Sequence, residues 1–300
     1  MKELRFAAID IGSNAARLLI SSVTGVEEGE EVYFKKAALV RSPLRLGFDA
    51  FINHELSVGR IDMLLHSMIA YKHLIAAYGV IAVRACATSA MREVSNSQDI
   101  IRRVKNFSGI DIEIISGHQE AQMVYDTQIG KHLPQDRPYL YIDVGGGSTE
   151  ISIINKGLVI ASQSFKIGTI RLLHNLVQDR LWEEMESWVK RNTTNHYNLA
   201  GIGLGGNISK ILKILKRSKH TPLLAYEINR LYNELEPLSL EQRIRLYDMK
   251  TDRADVIVPA AKIFKNVMSW ANCQEVFVPK VGLADGIIRQ LYKEYQKKSK

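Results

Sequence analysis

One short pattern occurs twice in the chain and constrains the fold more than any other feature. An apolar run that ends in an aspartate is followed by glycine and serine, first at residues 9–14 (IDIGSN) and again at 142–149 (IDVGGGST). The apolar runs predict strands, and the Gly-Ser segments predict tight turns. Asp10 and Asp143 lie about one domain length apart. The repetition therefore indicates an internal duplication into two similar halves.

Hydrophobic periodicity and turn residues predict alternating strands and helices in both halves. In the first half we expect strands near 5–11, 17–23, 31–39, 80–87 and 111–116, and helices near 55–78, 96–107 and 118–129. In the second half we expect strands near 139–144, 149–154, 157–163, 199–204 and 275–278, a helix after 205–207, and helical material over 168–197, 226–247, 253–271 and from 284. The order predicts an α/β protein.

Length and composition support two domains. The chain has 300 residues, 46% of them apolar, which is enough for two hydrophobic cores. We place the first domain at 1–125, with the helix of about 284–300 packing back on it, and the second at 126–283. No run of about 18 apolar residues occurs, so no membrane span is expected. Two cysteines, Cys86 and Cys273, exclude a disulfide scaffold and suit a reducing compartment, which predicts a cytoplasmic protein.

The net charge of +8 leaves two interpretations open. Lysine and arginine concentrate in 210–220 and 293–300. Such runs are typically solvated faces or a frayed terminus, which is the favoured interpretation. The alternative is electrostatic attraction of a polyanion such as a nucleotide, a nucleic acid or polyphosphate. Charge alone does not choose between them.

The two turns predict phosphate binding. A turn after an aspartate can aim backbone N–H groups at an anion and the carboxylate at a metal or water. A single such turn would be read as a strand cap with an exposed acid. Two equivalent turns, facing each other across a cleft, would hold two sides of one phosphate, and this interpretation is favoured. The candidate residues are Ser13, Gly145, Gly146, Gly147 and Ser148.

A dinucleotide fingerprint at 201–206 (GIGLGG) is set aside. That fingerprint should follow a strand, whereas here the first glycines fall inside a predicted strand. The turn at Gly205, Gly206 and Asn207 could still serve a phosphate at a helix N-terminus.

Three further candidates each have a structural alternative. Glu120 is either an acid that complements a helix N-terminus or a general base for an attacking water. Glu150 is either an exposed strand acid or a second carboxylate that reaches the same cation as Asp143. Ser89 and Arg92 either cap a helix and pair with an acid, or hold phosphate oxygens.

These motifs, taken together, resemble the exopolyphosphatase/guanosine pentaphosphate phosphatase (Ppx/GppA) family of the actin, sugar kinase and heat-shock chaperone ATPase superfamily. The matching segments are 8–14 (AIDIGSN), 87–92 (ATSAMR), 115–121 (ISGHQEA), 142–150 (IDVGGGSTE), 253–257 (RADVI) and 282–287 (GLADGI). The resemblance implies two ribonuclease-H-like domains facing across an interdomain cleft. It also implies Mg²⁺-assisted hydrolysis, with Mn²⁺ as an alternative ion, of the terminal phosphoanhydride of polyphosphate.

The same resemblance assigns roles to the candidates. Glu120 would activate water, and Asp10, Asp143 and Glu150 would lie near the metal. Phosphate would be held by Gly12, Ser13, Asn14, Ser89, Arg92, Gly145, Gly146, Gly147, Ser148, Gly206 and Asn207. A homodimer is expected, with no membrane and no specific nucleic acid as partner.

Two positions depart from the family pattern, and rival functions remain. Gln119 stands where a second acid is frequent, and Asn207 stands where threonine is usual. The nearest rival is a pppGpp 5′-phosphohydrolase with the same site. The chain could also be a sugar or acetate kinase of the superfamily, or a sensor that binds polyphosphate or (p)ppGpp without catalysis.

Overall fold

The computed structural model describes residues 3–25, 31–125, 127, 137–218, 220–279 and 281–298. The chain divides into two compact units, one of residues 1–127 with 282–300 and one of residues 128–281. Each unit contains one β-sheet with helices around it. Part of the predicted helix 118–129 lies outside the described residues.

The first unit is built on a five-stranded sheet. Its strands are β1 (Leu4–Ile11), β2 (Ala16–Thr24), β3 (Tyr33–Ser42), β4 (Ala82–Ala87) and β5 (Ile112–Ile114). Its helices, numbered in chain order, are α1 (Leu46–Asn53), α2 (Val58–Ala77), α3 (Ser89–Glu93), α4 (Ser97–Ser108), α5 (Gly117–Tyr125) and α13 (Leu283–Lys298). The sheet order is β3-β2-β1-β4-β5, with β1, β2 and β3 antiparallel and β4 and β5 parallel to β1.

Apolar residues on both faces of the central strands form the core of this unit. Phe6 and Ile9 of β1 are fully buried because helices cover the sheet. Helix α13 covers β1, where Tyr292 and Tyr295 make edge-to-face contacts with Phe6 at ring-centroid distances of 6.1 and 6.0 Å. Helix α2 ends before Gly79, whose φ of +60° is the left-handed conformation expected after a helix C-terminus.

The second unit repeats this topology with one added strand. Its strands are β6 (Tyr139–Val144), β7 (Thr149–Asn155), β8 (Leu158–Phe165), β9 (Ala200–Leu204), β10 (Leu223–Leu224) and β11 (Glu275–Phe277). Its helices are α6 (Thr169–Leu173), α7 (Asp179–Thr193), α8 (Gly206–Ile214), α9 (Ala225–Leu235), α10 (Leu240–Tyr247), α11 (Thr251–Ala254) and α12 (Ile257–Trp270). The order β8-β7-β6-β9-β11 matches that of the first unit, and β10 extends it. The predicted duplication is confirmed at the level of topology.

The structure corrects the prediction in several places. Helices α1 and α3 were not predicted, and the helical stretches 226–247 and 253–271 are each two helices, α9 with α10 and α11 with α12. The helical stretch 168–197 is also two helices, α6 and α7. They are separated near Asn175, which has a left-handed φ of +54° that a continuous helix does not allow. Strand β10 has only two residues, too few for a periodic signal. No helix among the described residues is long and apolar enough to cross a membrane.

Candidate functional site

The two predicted turns have the same geometry. In the first unit, residues 12–15 join β1 to β2, and the Gly12 N–H donates to the Ala15 carbonyl at 3.1 Å. In the second unit, residues 145–148 join β6 to β7, and the Gly145 N–H donates to the Ser148 carbonyl at 2.9 Å. Two different sequences therefore form one local structure, at equivalent places in the two sheets.

Asp10 has an arginine directly opposite it. Arg17 is its partner in the β1–β2 register, and Arg17 Nη1 donates to Asp10 Oδ2 at 3.1 Å. Burial raises the pKa of the Asp10 carboxyl above its usual value, while the Arg17 charge and hydrogen bond oppose that shift. The count of four residues in the turn fixes this register, so the pairing could have been predicted from the sequence.

Two candidate phosphate-binding hydroxyls meet in the first unit. Ser89 begins α3 directly after β4, and its Oγ lies 2.8 Å from Ser13 Oγ. Both residues are buried. The turn is held in place by the beginning of α1, because the N–H groups of Arg45 and Gly47 donate to the carbonyls of Asn14 and Ser13 at 3.0 and 2.8 Å.

Glu120 lies beside Arg92. The side chain of Glu120 is 19% exposed, and its Oε2 is 3.8 Å from Arg92 Nη1. The same Nη1 donates to the Ile115 carbonyl at 2.6 Å, which fixes the guanidinium at the end of the segment that leads into α5. Arg92 was predicted to hold phosphate, and the structure shows it oriented toward the candidate base.

The departure at Gln119 has a structural explanation. Gln119 Oε1 accepts from the Ser116 N–H at 2.8 Å, while Ser116 Oγ accepts from the Gln119 N–H at 3.2 Å. These reciprocal bonds form a capping box at the start of α5, a role that glutamine and glutamate share. The replacement therefore leaves the helix that carries Glu120 properly capped.

The second unit places two carboxylates side by side. Asp143 and Glu150 are direct partners in the antiparallel β6–β7 register, so their side chains share one face of the sheet. Glu150 is 5% exposed, and its Oε1 accepts from the Ser148 and Ser164 hydroxyls at 2.6 and 2.9 Å. Like charges at directly opposite positions destabilise a sheet unless a cation or a proton compensates them.

This donor set fits one cation that arrives with phosphate. Among the residues the structure describes, no group of three or more His, Cys, Asp or Glu side chains could hold a metal ion by itself. Mg²⁺ is usually bound by one or two carboxylates together with phosphate oxygens and water. Asp143 and Glu150 supply two carboxylates, and the substrate would have to supply the other ligands.

The glycine turn of the second unit is fixed from one side by α6. The N–H groups of Thr169 and Ile170 donate to the carbonyls of Gly145 and Gly146 at 3.0 and 2.9 Å. The sequence predicted helical material here but not its contact with the turn, because α6 follows the turn by about twenty residues and no spacing rule links the two.

An arginine that was not among the predicted site residues contacts the first residues of α8. Arg253 Nη1 donates to Asn207 Oδ1 at 3.0 Å, and a Cβ atom on Gly206 would lie 2.6 Å from Nη1. A side chain at position 206 would therefore displace the guanidinium from this place. The Asn207 side chain, a candidate phosphate ligand, orients Arg253. The sequence signal was present, since Arg253 begins the segment 253–257 on which the family resemblance partly rests.

The glycine fingerprint at 201–206 is explained by packing. Gly201 and Gly203 lie inside β9, where a Cβ atom would come within 2.9 and 3.0 Å of Val276. These glycines allow β9 and its neighbours to pack closely, which confirms the prediction that the first glycines of the fingerprint fall inside a strand.

Two cations of the basic run 210–220 have structural partners. Lys210 Nζ donates to the carbonyls of Tyr247 and Asp248 at the end of α10, where a cation complements the helix dipole. Arg217 pairs with the buried Glu227. The interpretation as part of the folded surface is therefore favoured over a dedicated polyanion-binding strip.

A model of the Ppx/GppA phosphatase family matches residues 41–295. The chain belongs to this family. Exopolyphosphatase 2 of Mycobacterium tuberculosis is 26% identical over 319 aligned positions, covering 96% of this chain and 98% of that protein. The bifunctional 3-dehydroquinate synthase/phosphatase of Fusobacterium nucleatum is 28% identical over 88% of this chain, which spans only 43% of that longer protein.

Solved structures of Ppx/GppA proteins have the same fold. An exopolyphosphatase from Cytophaga hutchinsonii has a TM-score of 0.83 at 24% identity, covering 97% of this chain and 98% of that one. The Aquifex aeolicus family member has a TM-score of 0.76 at 23% identity, covering 98% and 99%. The prediction of an α/β protein with two ribonuclease-H-like, actin-like units is confirmed.

Proposed function

We propose that this Ppx/GppA family member is an exopolyphosphatase, which removes the terminal phosphate of inorganic polyphosphate with one water molecule and releases orthophosphate. The observation that carries the proposal is the repeated turn, closed by the same hydrogen bond after β1 and after β6. Within a family of phosphatases, two such turns favour a substrate that consists of linked phosphates.

Glu120 is the proposed general base. Its carboxylate accepts the proton of the attacking water, and Arg92 orients it through the 3.8 Å ion pair. Breaking a phosphoanhydride requires mainly positioning and charge stabilisation, so hydrogen-bond donors on the phosphate oxygens contribute as much as the base. The turn N–H groups and the hydroxyls near Ser13 are suited to that task.

Asp143 and Glu150 are the residues that would hold Mg²⁺, with Mn²⁺ as the alternative ion. When bound, the ion supplies charge neutralisation at the phosphate oxygens. The hydrogen bonds from Ser148 and Ser164 orient Glu150 for this contact. Asp10 also belongs to the predicted metal ligands, but its Oδ2 is engaged by Arg17, so we assign the ion to the second unit.

Orthophosphate release with Mg²⁺, measured in parallel on long polyphosphate, tripolyphosphate, pppGpp and ATP, tests the substrate. Release from long polyphosphate well above the other three is expected. Release from pppGpp alone would transfer the same residue roles to a pppGpp phosphohydrolase. No release from any of the four, with binding retained, would favour a sensor.

Isotope-labelled water distinguishes hydrolysis from phosphoryl transfer to an alcohol. In H₂¹⁸O, one ¹⁸O atom per cleavage event is expected in the products, because water supplies the new P–O bond. Phosphate appearing on an added sugar or acetate, without ¹⁸O incorporation, would identify a kinase instead.

Location and assembly complete the proposal. Cys86 and Cys273 are free thiols, which suits a cytoplasmic protein.

A homodimer, expected from the family resemblance, would give twice the chain mass of 33.9 kDa in light scattering. No specific nucleic acid partner is proposed, and a gel-shift assay with duplex DNA is expected to show only salt-sensitive, weak binding.

A further inference from the structure

Arg171 is a buried arginine beside the glycine turn of the second unit. It lies in the short helix α6 and is 8% exposed. Its Nε donates to the Gly147 carbonyl at 2.8 Å. Burying a guanidinium is costly, and an apolar residue of similar volume would often stabilise a core at least as well. The burial of Arg171 therefore points to a role beyond packing.

Three consecutive carbonyl groups of the turn accept hydrogen bonds from the backbone of α6 and from the Arg171 side chain. The N–H groups of Thr169 and Ile170 bind the Gly145 and Gly146 carbonyls, and Arg171 Nε binds the Gly147 carbonyl. Every carbonyl between Gly145 and Gly147 thus points toward the same element.

The directions of these three carbonyls also fix the directions of the N–H groups that follow them in the chain. In such a peptide the carbonyl of one residue and the N–H of the next point in opposite directions. With the three carbonyls directed at α6 and Arg171, the N–H groups of Gly146, Gly147 and Ser148 must point away from them. No backbone hydrogen bond between described residues uses these three N–H groups.

We propose that Arg171 is a positioning residue for the phosphate-binding turn. Through its bond to the Gly147 carbonyl it aligns the Gly147 and Ser148 peptide, and with α6 it directs three N–H donors toward the bound phosphate. Glycine peptides lack intrinsic conformational preference, so the turn needs such an external restraint. The proposal rests on the proposed function, because phosphate is the anion that those donors would meet.

The first unit has a related restraint without an arginine side chain. There the backbone N–H groups of Arg45 and Gly47 bind the carbonyls of Asn14 and Ser13. By the same peptide geometry, the N–H groups of Asn14 and Ala15 point away from that segment. The guanidinium bond is thus a feature of the glycine-rich turn.

The test measures tripolyphosphate binding to Glu120→Gln protein, which is expected not to hydrolyse the ligand. Glu120→Gln protein, labelled with ¹⁵N-glycine, gives one amide signal for each of its 20 glycines. Tripolyphosphate is titrated into this parent, and we expect the Gly146 and Gly147 signals to shift. In Arg171→Met we expect a Kd at least about tenfold higher and no shift of those two signals, because one charge-assisted bond is lost.

Two controls separate positioning from a loss of folding. The Gly201 and Gly203 signals, from strand β9 of the same unit, should be unchanged in Arg171→Met, since misfolding of that unit would move them as well. Arg180→Met removes an arginine whose side chain is 81% exposed, and it should bind tripolyphosphate like the parent. Should Arg171→Met not fold, Arg171→Lys decides, because it keeps the charge and the stem but loses the Nε donor. An intermediate Kd is expected for it.

A folded Arg171→Met protein, or the Lys variant in its place, that binds with the parent's Kd and shows the parent's Gly147 shift would overturn this proposal alone. Retained tripolyphosphate binding in a wild-type protein that hydrolyses no polyphosphate would overturn the proposed exopolyphosphatase activity alone.

Discussion

Replacing Gly168 with alanine should push the glycine turn out of place. Gly168 precedes α6 with φ −139°, an extended conformation that alanine adopts without strain, so the effect is purely steric. A Cβ atom there would lie 2.5 Å from the carbonyl carbons of Gly146 and Gly147. Carbon atoms prefer separations of about 3.5 Å, so the turn must move by about 1 Å.

A displacement of that size should lower kcat/KM strongly and the free energy of unfolding only modestly. A misplacement of about 1 Å in a binding element can lower the rate about 100-fold. Overpacking of this kind typically costs about 1–3 kcal/mol of unfolding free energy. We therefore expect Gly168→Ala to remain folded and to lose about two orders of magnitude in kcat/KM for polyphosphate, measured by orthophosphate release alongside urea unfolding.

Gly59→Ala is the matched control. Gly59 lies in the first turn of α2 with no atom within 4 Å of a built Cβ, so alanine there should raise the unfolding free energy by up to about 1 kcal/mol and leave kcat/KM unchanged. If Gly168→Ala keeps wild-type kcat/KM, the turn is not the phosphate-binding element and the steric reasoning is refuted.

Three other predictions concern separate parts of the chain. Ser164→Ala removes one hydrogen bond to Glu150 and should raise the Mg²⁺ concentration needed for half-maximal activity about tenfold. The control Ser162→Ala removes only a bond to Ser152 and should leave that concentration unchanged. Equal Mg²⁺ dependence of the two variants would contradict the assignment of Glu150 as a metal ligand. Burial would raise the pKa of Glu227, but hydrogen bonds from the Leu224 N–H and Arg217 lower it below its usual 4.5, so its stabilisation is present above that pH and lost as pH falls through the lowered value. The unfolding free energy of wild type should therefore drop toward that of Glu227→Gln in acid, and a constant difference between the two would count against the pairing. Burial raises the pKa of Cys86 to about 12 and of Cys273 to about 11. Neither thiol should therefore react with an aromatic disulfide reagent at pH 8 in the native protein, and both should react after unfolding. Labelling of the native protein would refute their burial.

The fold was largely predictable because its strands carry strong local signals. The run 139–144 is apolar at every position but Asp143, and β6 begins and ends at those residues. Helix α1 was missed because it starts from Arg45 in a left-handed conformation, with no capping side chain to mark its beginning. Strand β10 forms only through pairing with β11, a contact that no local pattern encodes.

The candidate site was predictable in its residue types and less so in its contacts. Turn residues such as Ser13 and Ser148 follow from the strand–turn pattern, and the pairing of Asp143 with Glu150 follows from the turn length. The partners that orient them come from distant segments. Arg171 and Ser89 reach the turns only through the tertiary fold, so sequence spacing could not pair them with Gly147 or Ser13.

The most direct test of the proposed hydrolytic mechanism is the activity of Glu120→Gln. Glutamine keeps the size of Glu120 but cannot accept a proton from water, so orthophosphate release from long polyphosphate with Mg²⁺ should fall at least about 100-fold. Binding of the same polyphosphate, measured by calorimetry, should stay within a few-fold of wild type. Near-normal release by a folded Glu120→Gln protein would contradict the assignment of Glu120 as the base and, with it, the proposed hydrolytic mechanism.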